Sequence, residues 1–585
     1  MGALHAGVNL VAGYPGTPST EILETVAKKN DGSVYVEWSV NEKAALEVAA
    51  GASYAGARTL VTMKQVGLNV ASDPLMSLSY VGIKGGMVIV SADDPGPISS
   101  QTEQDTREFA RFSKLPVFDP STPGEAYEMI RDAFEYSEKY GTPVLFRPTT
   151  RVCHSCADIE LSEPISHKPE GFVKDTMRWV IFPKTSYLNH IKIEKRRPVL
   201  SADFSEYRFN TLSGSGKTGI VSSGISYTYL KEALIDCEKE VKLLKIATAY
   251  PFPEELALRF FEGLERVLVI EELDPVIEHE LVYLCGKHHL AVNISGKLDG
   301  TVQPAGENSV ESVRTVLEAY LGTESRAGGI CTGNAPELPV RPPVLCAGCP
   351  HRASFYAVKQ AMKGKKAVFS GDIGCYTLGN AMPLDMVDTC LCMGADITIA
   401  QGLHRIEPDT INFSFIGDST FFASGITGIV NAVYNRTDII IIILDNSTTA
   451  MTGQQPHPGT GITMMGGKSP QVSIEKLLRA IGLEYVVTVN PLNLRETSDA
   501  VSRAAELDGV KAIICKSPCI GVSKPSHQPI VDEAKCIGCK KCIRELGCPA
   551  IIMSGGKARI EKSLCYGCGI CAQVCPVSAI VGEAE

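Results

Sequence analysis

The chain has 585 residues, of which 44% are apolar and 21% are charged, and its formal net charge is −10 at pH 7. This length exceeds what a single hydrophobic core usually serves, so we expect about four domains. The negative charge argues against nucleic acid as a partner and gives no indication of a membrane surface. The longest apolar run, residues 439–444, is far too short to span a bilayer and predicts a buried parallel strand.

Residues 1–160 alternate short predicted strands and helices. The stretches GARTLVTMK and GGMVIVSADDPG are typical of strands that end in polar turns, and NEKAALEVAAGASYAG is typical of an Ala-rich amphipathic helix. This alternation predicts a doubly wound α/β domain. Met1 leads directly into a predicted amphipathic helix followed by GYPGTPST, so we expect no signal peptide.

Four further segments follow this first domain. Residues 161–210 are irregular and charged, which indicates a crossover linker with some helix. Strand and helix signals resume in residues 211–325 and predict a second α/β domain. The Pro-rich stretch APELPVRPPVLC opens a third α/β domain, residues 326–525, and a cysteine-rich module, residues 526–585, closes the chain.

Eight cysteines of this last module have the spacing of iron–sulfur ligands. The last four follow the pattern C-x2-C-x2-C-x3-C before a proline, and a near copy stands upstream. In such doubled motifs three thiolates bind one [4Fe-4S] cube and the fourth cysteine binds the other cube. We therefore assign cluster 1 to Cys536, Cys539, Cys542 and Cys575, and cluster 2 to Cys565, Cys568, Cys571 and Cys548.

The upstream copy departs from the usual pattern, because five residues rather than three separate Cys542 from Cys548. Structural zinc is the alternative, but it usually takes separated cysteine pairs without a third cysteine two residues on. Cluster chemistry needs reduced thiols, so the chain is expected in a reducing cytoplasm. The module is then an electron conduit, and its electrons must come from upstream.

The third domain carries a candidate site for a metal-bound diphosphate. Its sequence FSFIGDSTFFASG is followed by a long apolar strand and then DNSTTAMTG. Strand ends would bring Asp418 and Asn446 to the same carboxyl edge of a parallel sheet. Their oxygens suit Mg²⁺. The pattern resembles the thiamine-diphosphate motif, usually G-D-G followed by N-N, with Gly417 kept, Ser419 in place of the second glycine, and D-N in place of N-N. The alternative is a plain strand–turn–helix with a helix-capping aspartate.

Thiamine diphosphate also needs a carboxylate against its aminopyrimidine ring, where the acid helps to stabilise the imino tautomer. Glu42 is our candidate, because it stands where a predicted strand runs into the Ala-rich helix. A carboxylate there lies near a helix N-terminus in apolar surroundings. Glu37 and Glu47 compete for this role, and a glutamate on a solvated helix face is the alternative.

Six stretches together resemble the large subunit of indolepyruvate:ferredoxin oxidoreductase, and the similarity covers essentially the whole chain. They are GYPGTPSTE, WSVNEKAALE, MKQVGLNVASDPL, SADDPGPISSQTEQDTR, CAGCPHR and DNSTTAMTG. The resemblance implies thiamine-diphosphate-binding doubly wound α/β domains, an additional α/β domain and a C-terminal two-cluster ferredoxin-like module. It also implies oxidation of aryl pyruvates with coenzyme A to aryl-acetyl-CoA and CO2, with electrons passed to ferredoxin, and a smaller β subunit in a hetero-oligomer.

The resemblance also implies roles for two threonines. Thr448 would give its backbone oxygen to Mg²⁺, and Thr17 would bind the substrate carboxylate. Gly16, beside Thr17, either leaves space for an aryl group or meets a need for positive φ. An electron-transfer subunit with a thiamine-like fold but no catalysis is the alternative function.

Four cysteines outside the tail are candidates for a third cluster. In similar contexts of related enzymes such cysteines bind a cluster close to the thiamine cofactor. Nothing in the sequence brings the later two to the CAGC pair, so buried thiols are the alternative. The four are Cys346, Cys349, Cys375 and Cys519.

Overall fold

The computed structural model describes residues 1–235, 237–323, 336, 338–450, 452–525 and 527–582. The chain divides into two compact units, Met1–Asn334 and Ala335–Glu585. The boundary expected between residues 325 and 326 lies outside the described residues. Within the described ranges, no helix combines the length and apolarity that crossing a bilayer requires.

A six-stranded parallel sheet organises the first part of unit 1, with strand order β2-β1-β3-β4-β6-β5. Its central strands are fully buried, because helices cover both faces of the sheet. This agrees with the continuous apolar runs of the sequence. The strands are β1 (Leu10–Gly13), β2 (Tyr35–Trp38), β3 (Thr59–Lys64), β4 (Met87–Ala92), β5 (Val117–Phe118) and β6 (Val144–Phe146).

Eight helices accompany this sheet in the described chain. The Ala-rich helix begins at Glu42, and Asn41 caps it by accepting a hydrogen bond from the Ala44 amide. The helices are α1 (Gly2–His5), α2 (Thr20–Lys29), α3 (Glu42–Tyr54), α4 (Gln65–Val70), α5 (Ser72–Val81), α6 (Thr106–Ser113), α7 (Pro123–Tyr140) and α8 (Thr150–His154).

The segment 161–210, expected to be an irregular crossover, contains a short helix α9 (Thr176–Trp179) and a long helix α10 (Pro183–Ser205). A second sheet follows with order β11-β10-β8-β9-β7, in which only β7 is antiparallel to its neighbour. Its elements are β7 (Thr211–Gly214), β8 (Thr218–Ser223), α11 (Gly224–Ala233), β9 (Lys242–Ile246), α12 (Glu254–Phe261), β10 (Arg266–Ile270), α13 (Val276–His288), β11 (Asn293–Ser295) and α14 (Val310–Leu321).

Unit 2 is built on a five-stranded parallel sheet with order β12-β13-β14-β16-β15. The apolar run at 439–444 is the buried central strand, as predicted. The elements are α15 (Pro350–Ala361), β12 (Ala367–Ser370), α16 (Ala395–Ile406), β13 (Ile411–Gly417), α17 (Asp418–Thr420), α18 (Ile426–Tyr434), β14 (Ile439–Asp445), α19 (Ile474–Ile481), β15 (Tyr485–Val489), α20 (Leu494–Ala504) and β16 (Val510–Lys516).

The cysteine-rich module is a pair of short antiparallel ribbons with two helical turns. Its buried apolar residues belong to the same hydrophobic core as helix α15 and one face of the unit 2 sheet. Its elements are β17 (Ile530–Val531), α21 (Lys541–Arg544), β18 (Ile551–Ser554), β19 (Lys557–Ile560), α22 (Ile570–Val574) and β20 (Ile580–Val581). The predicted α/β fold class is confirmed.

Buried ion pairs join the two sheets of unit 1. Arg107 on α6 is fully buried and pairs with Asp105 at 2.6 Å and with Glu271, beyond strand β10, at 2.8 Å. The same guanidinium donates to the carbonyl oxygens of Glu272 and Asp274. A buried cation with this many partners is costly to remove, because its carboxylates would remain without compensation.

We expect Arg107→Met to lower the free energy of unfolding of unit 1 by about 3 to 5 kcal/mol, since Asp105 and Glu271 would stay buried and unpaired. Arg111→Met on the same helix is the matched control. Arg111 pairs with Glu280 at 3.4 Å but is half exposed, so its loss should cost less than about 1 kcal/mol. Thermal unfolding of both variants measures the difference. Equal losses would show that the buried pairs contribute no more than a surface pair.

Candidate functional site

Asp418 lies where β13 ends, and three groups fix its buried carboxylate. Its Oδ1 accepts from the Ser419 amide at 2.9 Å, and its Oδ2 accepts from the Ser447 amide at 2.8 Å. His457 lies 3.1 Å from Oδ2. The Gly459 amide donates to Nδ1 of His457, so a neutral imidazole carries its proton on Nε2 and donates to Asp418. Asp418 therefore ties the ends of β13 and β14 together and is more than a helix cap.

Asn446 follows β14 and is also buried. Its side-chain nitrogen lies 3.3 Å from Nε2 of His351, and burial lowers the pKa of His351 to about 4. The imidazole is therefore neutral near pH 7 and can accept from the amide. The opposite end of the amide, Oδ1, accepts from the Thr448 backbone at 3.2 Å. His351 thus sets which way the amide oxygen of Asn446 points.

The remaining predicted residues of this edge lie beside these two. Gly417 faces Tyr376, since a Cβ at Gly417 would lie 2.5 Å from the tyrosine oxygen. Ser419 accepts a hydrogen bond from Thr449 at 2.9 Å. Thr448 is buried in the same turn. The structure brings all five predicted residues to one sheet edge, and a carboxylate, an amide and backbone carbonyls form an oxygen donor set suited to Mg²⁺.

Glu42 is the first residue of α3, at the carboxyl edge of the unit 1 sheet, and only 8% of it is exposed. Burial raises the pKa of Glu42 to about 7, partly offset by its own amide and by Lys64. Gly67 makes room for the carboxylate, because a Cβ there would lie 2.5 Å from Oε1. In the described chain no side chain donates a hydrogen bond to the Glu42 carboxylate. A buried carboxyl in this state can hold or release a proton near neutral pH, which fits a thiamine pyrimidine ring.

The two competing glutamates have other surroundings. Glu37 accepts hydrogen bonds from Tyr35 on its own strand and from Ser39, just after the strand ends. Glu47 is exposed and pairs with Lys43 one helical turn away. Both are accounted for by local contacts, so the structure favours Glu42 as the buried acid.

Thr17 follows β1 at the same edge as Glu42, and its carbonyl oxygen accepts from Ser99 at 3.2 Å. The expectation of positive φ at Gly16 is wrong, since its φ lies outside the left-handed region. A Cβ at Gly16 would lie 2.9 Å from Cδ of Lys64. The space beside Gly16 is therefore taken by the lysine stem, not left open for an aryl group. The sequence analysis missed Lys64, although a charged residue at the end of an apolar strand was a signal for it.

The tail cysteines gather into two groups that match the predicted clusters. Burial raises the pKa of Cys542, and its thiol neighbours Cys539, Cys575 and Cys536 raise it further. Cys571 lies in the other group, where burial followed by three neighbouring thiols raises its pKa to about 12. Those neighbours are Cys568, Cys548 and Cys565. The five-residue loop before Cys548 does not keep it from this second group.

A third group forms outside the tail. Burial has the largest effect on the pKa of Cys375 and raises it. The neighbouring thiols raise that pKa further, and in decreasing order of effect they are Cys349, Cys519 and Cys346. The tertiary structure thus brings together the four cysteines that the sequence could not connect. No three His, Cys, Asp or Glu side chains of the described chain converge as tightly as a single metal ion requires. An iron–sulfur cube separates its thiolates more widely than one ion does.

Three family models match parts of the chain. Residues 1–178 match the model "Pyruvate flavodoxin/ferredoxin oxidoreductase, thiamine diP-bdg". Residues 372–515 match "Thiamine pyrophosphate enzyme, C-terminal TPP binding domain". Residues 528–576 match "4Fe-4S dicluster domain". These matches cover the three regions in which the candidate residues lie.

Full-length relatives are also similar to the chain. "Indolepyruvate oxidoreductase subunit IorA" of Methanothermobacter thermautotrophicus is 43% identical over 597 residues, covering 100% of this chain and 96% of the relative. The subunit of the same name from Pyrococcus horikoshii is 40% identical over 630 residues, covering 99% of this chain and 94% of the relative. Among solved structures, a 2-oxoglutarate:ferredoxin oxidoreductase from Magnetococcus marinus is 18% identical with a TM-score of 0.41, covering 54% of this chain and 63% of that one.

The raised pKa of Glu42 predicts a pH-dependent cost in stability. Because the folded value of about 7 exceeds the ordinary 4.5, the unfolded chain ionises first and the folded chain loses stability as pH rises between them. A rise of this size corresponds to about 3 kcal/mol. We expect Glu42→Gln to raise the unfolding temperature of thiamine-free protein more at pH 8 than at pH 5. Calorimetry at the two pH values checks this, and an equal effect at both would contradict the buried acid.

Proposed function

The chain belongs to the family of indolepyruvate oxidoreductase IorA subunits, and from this membership we propose that it oxidises aryl pyruvates such as indolepyruvate. It is a thiamine-diphosphate-dependent 2-oxoacid:ferredoxin oxidoreductase. The proposed reaction takes an aryl pyruvate and coenzyme A to aryl-acetyl-CoA and CO2, with two electrons passed to ferredoxin. The observation that carries the choice of substrate is the full-length match to relatives named for indolepyruvate.

The chain is a thiamine-diphosphate-binding protein, since residues 1–178 and residues 372–515 each match a thiamine-binding family model. Bound thiamine diphosphate supplies the electron sink that loss of CO2 from a 2-oxoacid requires. We assign Asp418, Asn446 and the backbone oxygen of Thr448 to a Mg²⁺ ion on the diphosphate, with Gly417 and Ser419 lining the turn. The support is an oxygen donor set already oriented by Ser447, His457 and His351.

Glu42 is proposed as the acid that exchanges a proton with the cofactor's pyrimidine nitrogen. Its pKa of about 7 lets it share that proton without a large cost in either direction. Thr17, at the same sheet edge, is proposed to donate a hydrogen bond to the substrate carboxylate. The loop that carries Thr17 is held by Ser99, whose hydroxyl donates a hydrogen bond to the Thr17 backbone carbonyl.

The chain carries iron–sulfur clusters in its tail. We propose two [4Fe-4S] clusters on the tail cysteines as assigned from the spacing, and a third on Cys346, Cys349, Cys375 and Cys519. Support for the third comes from the mutual electrostatic influence of these four thiols. Backbone amides donate to Cys519, Cys575 and Cys536 at 3.2 to 3.5 Å, and such hydrogen bonds tune cluster potentials.

The relatives are named as subunits, which implies a partner chain. We propose that this partner is a smaller β subunit, that ferredoxin receives the electrons, and that the hetero-oligomer works in a reducing cytoplasm. The last point rests on the thiols that the clusters require in reduced form.

Anaerobic assay of the two-subunit enzyme tests the reaction. We expect ferredoxin reduction with phenylpyruvate and indolepyruvate that requires coenzyme A and exceeds the rate with pyruvate. Asp418→Asn should abolish this turnover and retention of thiamine diphosphate, while leaving iron content unchanged, because the metal loses its charged ligand. Asp438→Asn is the matched control at the opposite end of β14, where Asp438 pairs with Lys511. Equal rates with pyruvate, or turnover without coenzyme A, would contradict the proposal.

Iron content tests the third cluster. A chain with three [4Fe-4S] clusters holds about 12 iron atoms, and Cys375→Ser should lower this to about 8 while the tail clusters remain. Cys390→Ser is the control, since Cys390 is exposed and belongs to none of the three groups. A wild-type content of about 8 atoms that Cys375→Ser leaves unchanged would remove the third cluster.

A further inference from the structure

We propose that Lys64 supplies the positive charge that binds the carboxylate of the 2-oxoacid substrate. The inference rests on the proposed function and adds a residue that the sequence motifs did not indicate. It starts from a buried cation at the same sheet edge as Glu42, the proposed catalytic carboxyl, where parallel α/β domains bind their ligands.

Lys64 is the last residue of β3, a central strand between β1 and β4. The neighbouring strand β1 leads to Thr17, and β2 leads to Glu42. Burial lowers the pKa of Lys64, whereas Asp94 and Glu42 raise it. Lys64 in turn lowers the pKa of Glu42. The ammonium and the Glu42 carboxyl are therefore within electrostatic range of one another.

The ammonium of Lys64 lacks a direct ionic partner. Its Nζ donates to the Ser99 carbonyl at 3.0 Å, and no described carboxylate lies within 4.0 Å of it. Asp94 does not neutralise it directly, because its Oδ2 accepts from the amides of residues 98, 99 and 100 and its Oδ1 accepts from Thr150. Only 8% of Lys64 is exposed. A buried ammonium with two free donors is costly unless an anion joins it.

The Thr17 loop is built around this lysine. A Cβ at Gly16 would come within 2.9 Å of Lys64 Cδ, so glycine lets the loop lie against the stem. The carbonyl that holds Nζ belongs to Ser99, whose hydroxyl donates to the Thr17 carbonyl. One residue therefore fixes both the ammonium and the Thr17 loop. A charged donor and a hydroxyl donor at one edge form a site for a carboxylate.

The sheet edge and the electrostatic influence that Lys64 shares with Glu42 favour the 2-oxoacid over coenzyme A as the source of the anion. The carboxylate of a 2-oxoacid is bonded to the carbon that reacts, so it must lie near the catalytic acid. The phosphates of coenzyme A are separated from its thiol by the long pantetheine arm. A lysine that binds a phosphate of coenzyme A would therefore be expected to lie away from Glu42.

Steady-state kinetics of the complete two-subunit holoenzyme test the proposal. We expect Lys64→Met to raise KM for phenylpyruvate about 10- to 100-fold, the usual effect of losing a hydrogen bond to a charged group, with KM for coenzyme A unchanged. Lys64→Arg keeps the charge and should recover most of the affinity. Lys245→Met is the matched control, because Lys245 is also a buried lysine but pairs with Glu125 in the other sheet region.

A binding measurement separates charge from structure without turnover. We expect the wild-type holoenzyme to bind indole-3-acetate more tightly than the neutral indole-3-acetamide, and Lys64→Met to lose that preference. An unchanged preference, a raised KM for coenzyme A alone, or equal damage by Lys64→Arg and Lys64→Met would overturn the role of Lys64. Failure of the wild-type enzyme to oxidise any aryl pyruvate would instead contradict the proposed function, and the acetate–acetamide comparison would still decide on Lys64.

Discussion

The buried guanidinium of Arg352 joins helix α15, which packs on the parallel sheet of unit 2, to the cysteine-rich module. From helix α15 its guanidinium donates to the carbonyl oxygens of Leu345 and Leu546, and at 2.9 Å to that of Gly547. Within the described chain it has no carboxylate partner, so the dipoles of these backbone carbonyls compensate its charge. Arg352 also lies near Cys568 and partly offsets the rise that burial causes in the pKa of that thiol.

The arrangement around Arg352 also explains why so many functions meet in the CAGCPHR stretch. Cys346 and Cys349 belong to the third cysteine group, and His351 orients the amide of Asn446. The backbone carbonyl of Asn446 in turn accepts from the amide of Cys519. The candidate metal ligand and the third cysteine group therefore share one hydrogen-bonded network. The proposed third cluster would place a one-electron acceptor beside the proposed Mg²⁺-binding turn, which would shorten the distance that electrons must travel.

In the first sheet of unit 1 and in the sheet of unit 2, buried charged residues lie at the carboxyl edge. Their burial lowers the stability of the fold. Asp418 and Glu42 are buried acids whose pKa values are raised by desolvation. Lys64 is a buried base shifted in the opposite direction for the same reason. Such groups destabilise the fold without their ligands, and bound ligands would restore that stability. The buried ion pairs of Arg107 are different, because each charge there has its partner within the protein.

The sequence by itself determined the α/β fold class and the buried strand at 439–444, and it predicted that Asp418 and Asn446 lie at one sheet edge and that the tail cysteines form two groups. These features follow from local rules, since hydrophobic runs set strands and short cysteine spacings set cluster ligands. Only the tertiary structure decided that Cys375 and Cys519 join Cys346 and Cys349, that Lys64 fills the space beside Gly16, and that His351 orients Asn446. Each of these contacts joins residues far apart in the chain or on neighbouring strands, and such contacts depend on how the strands and loops pack, which no local pattern encodes.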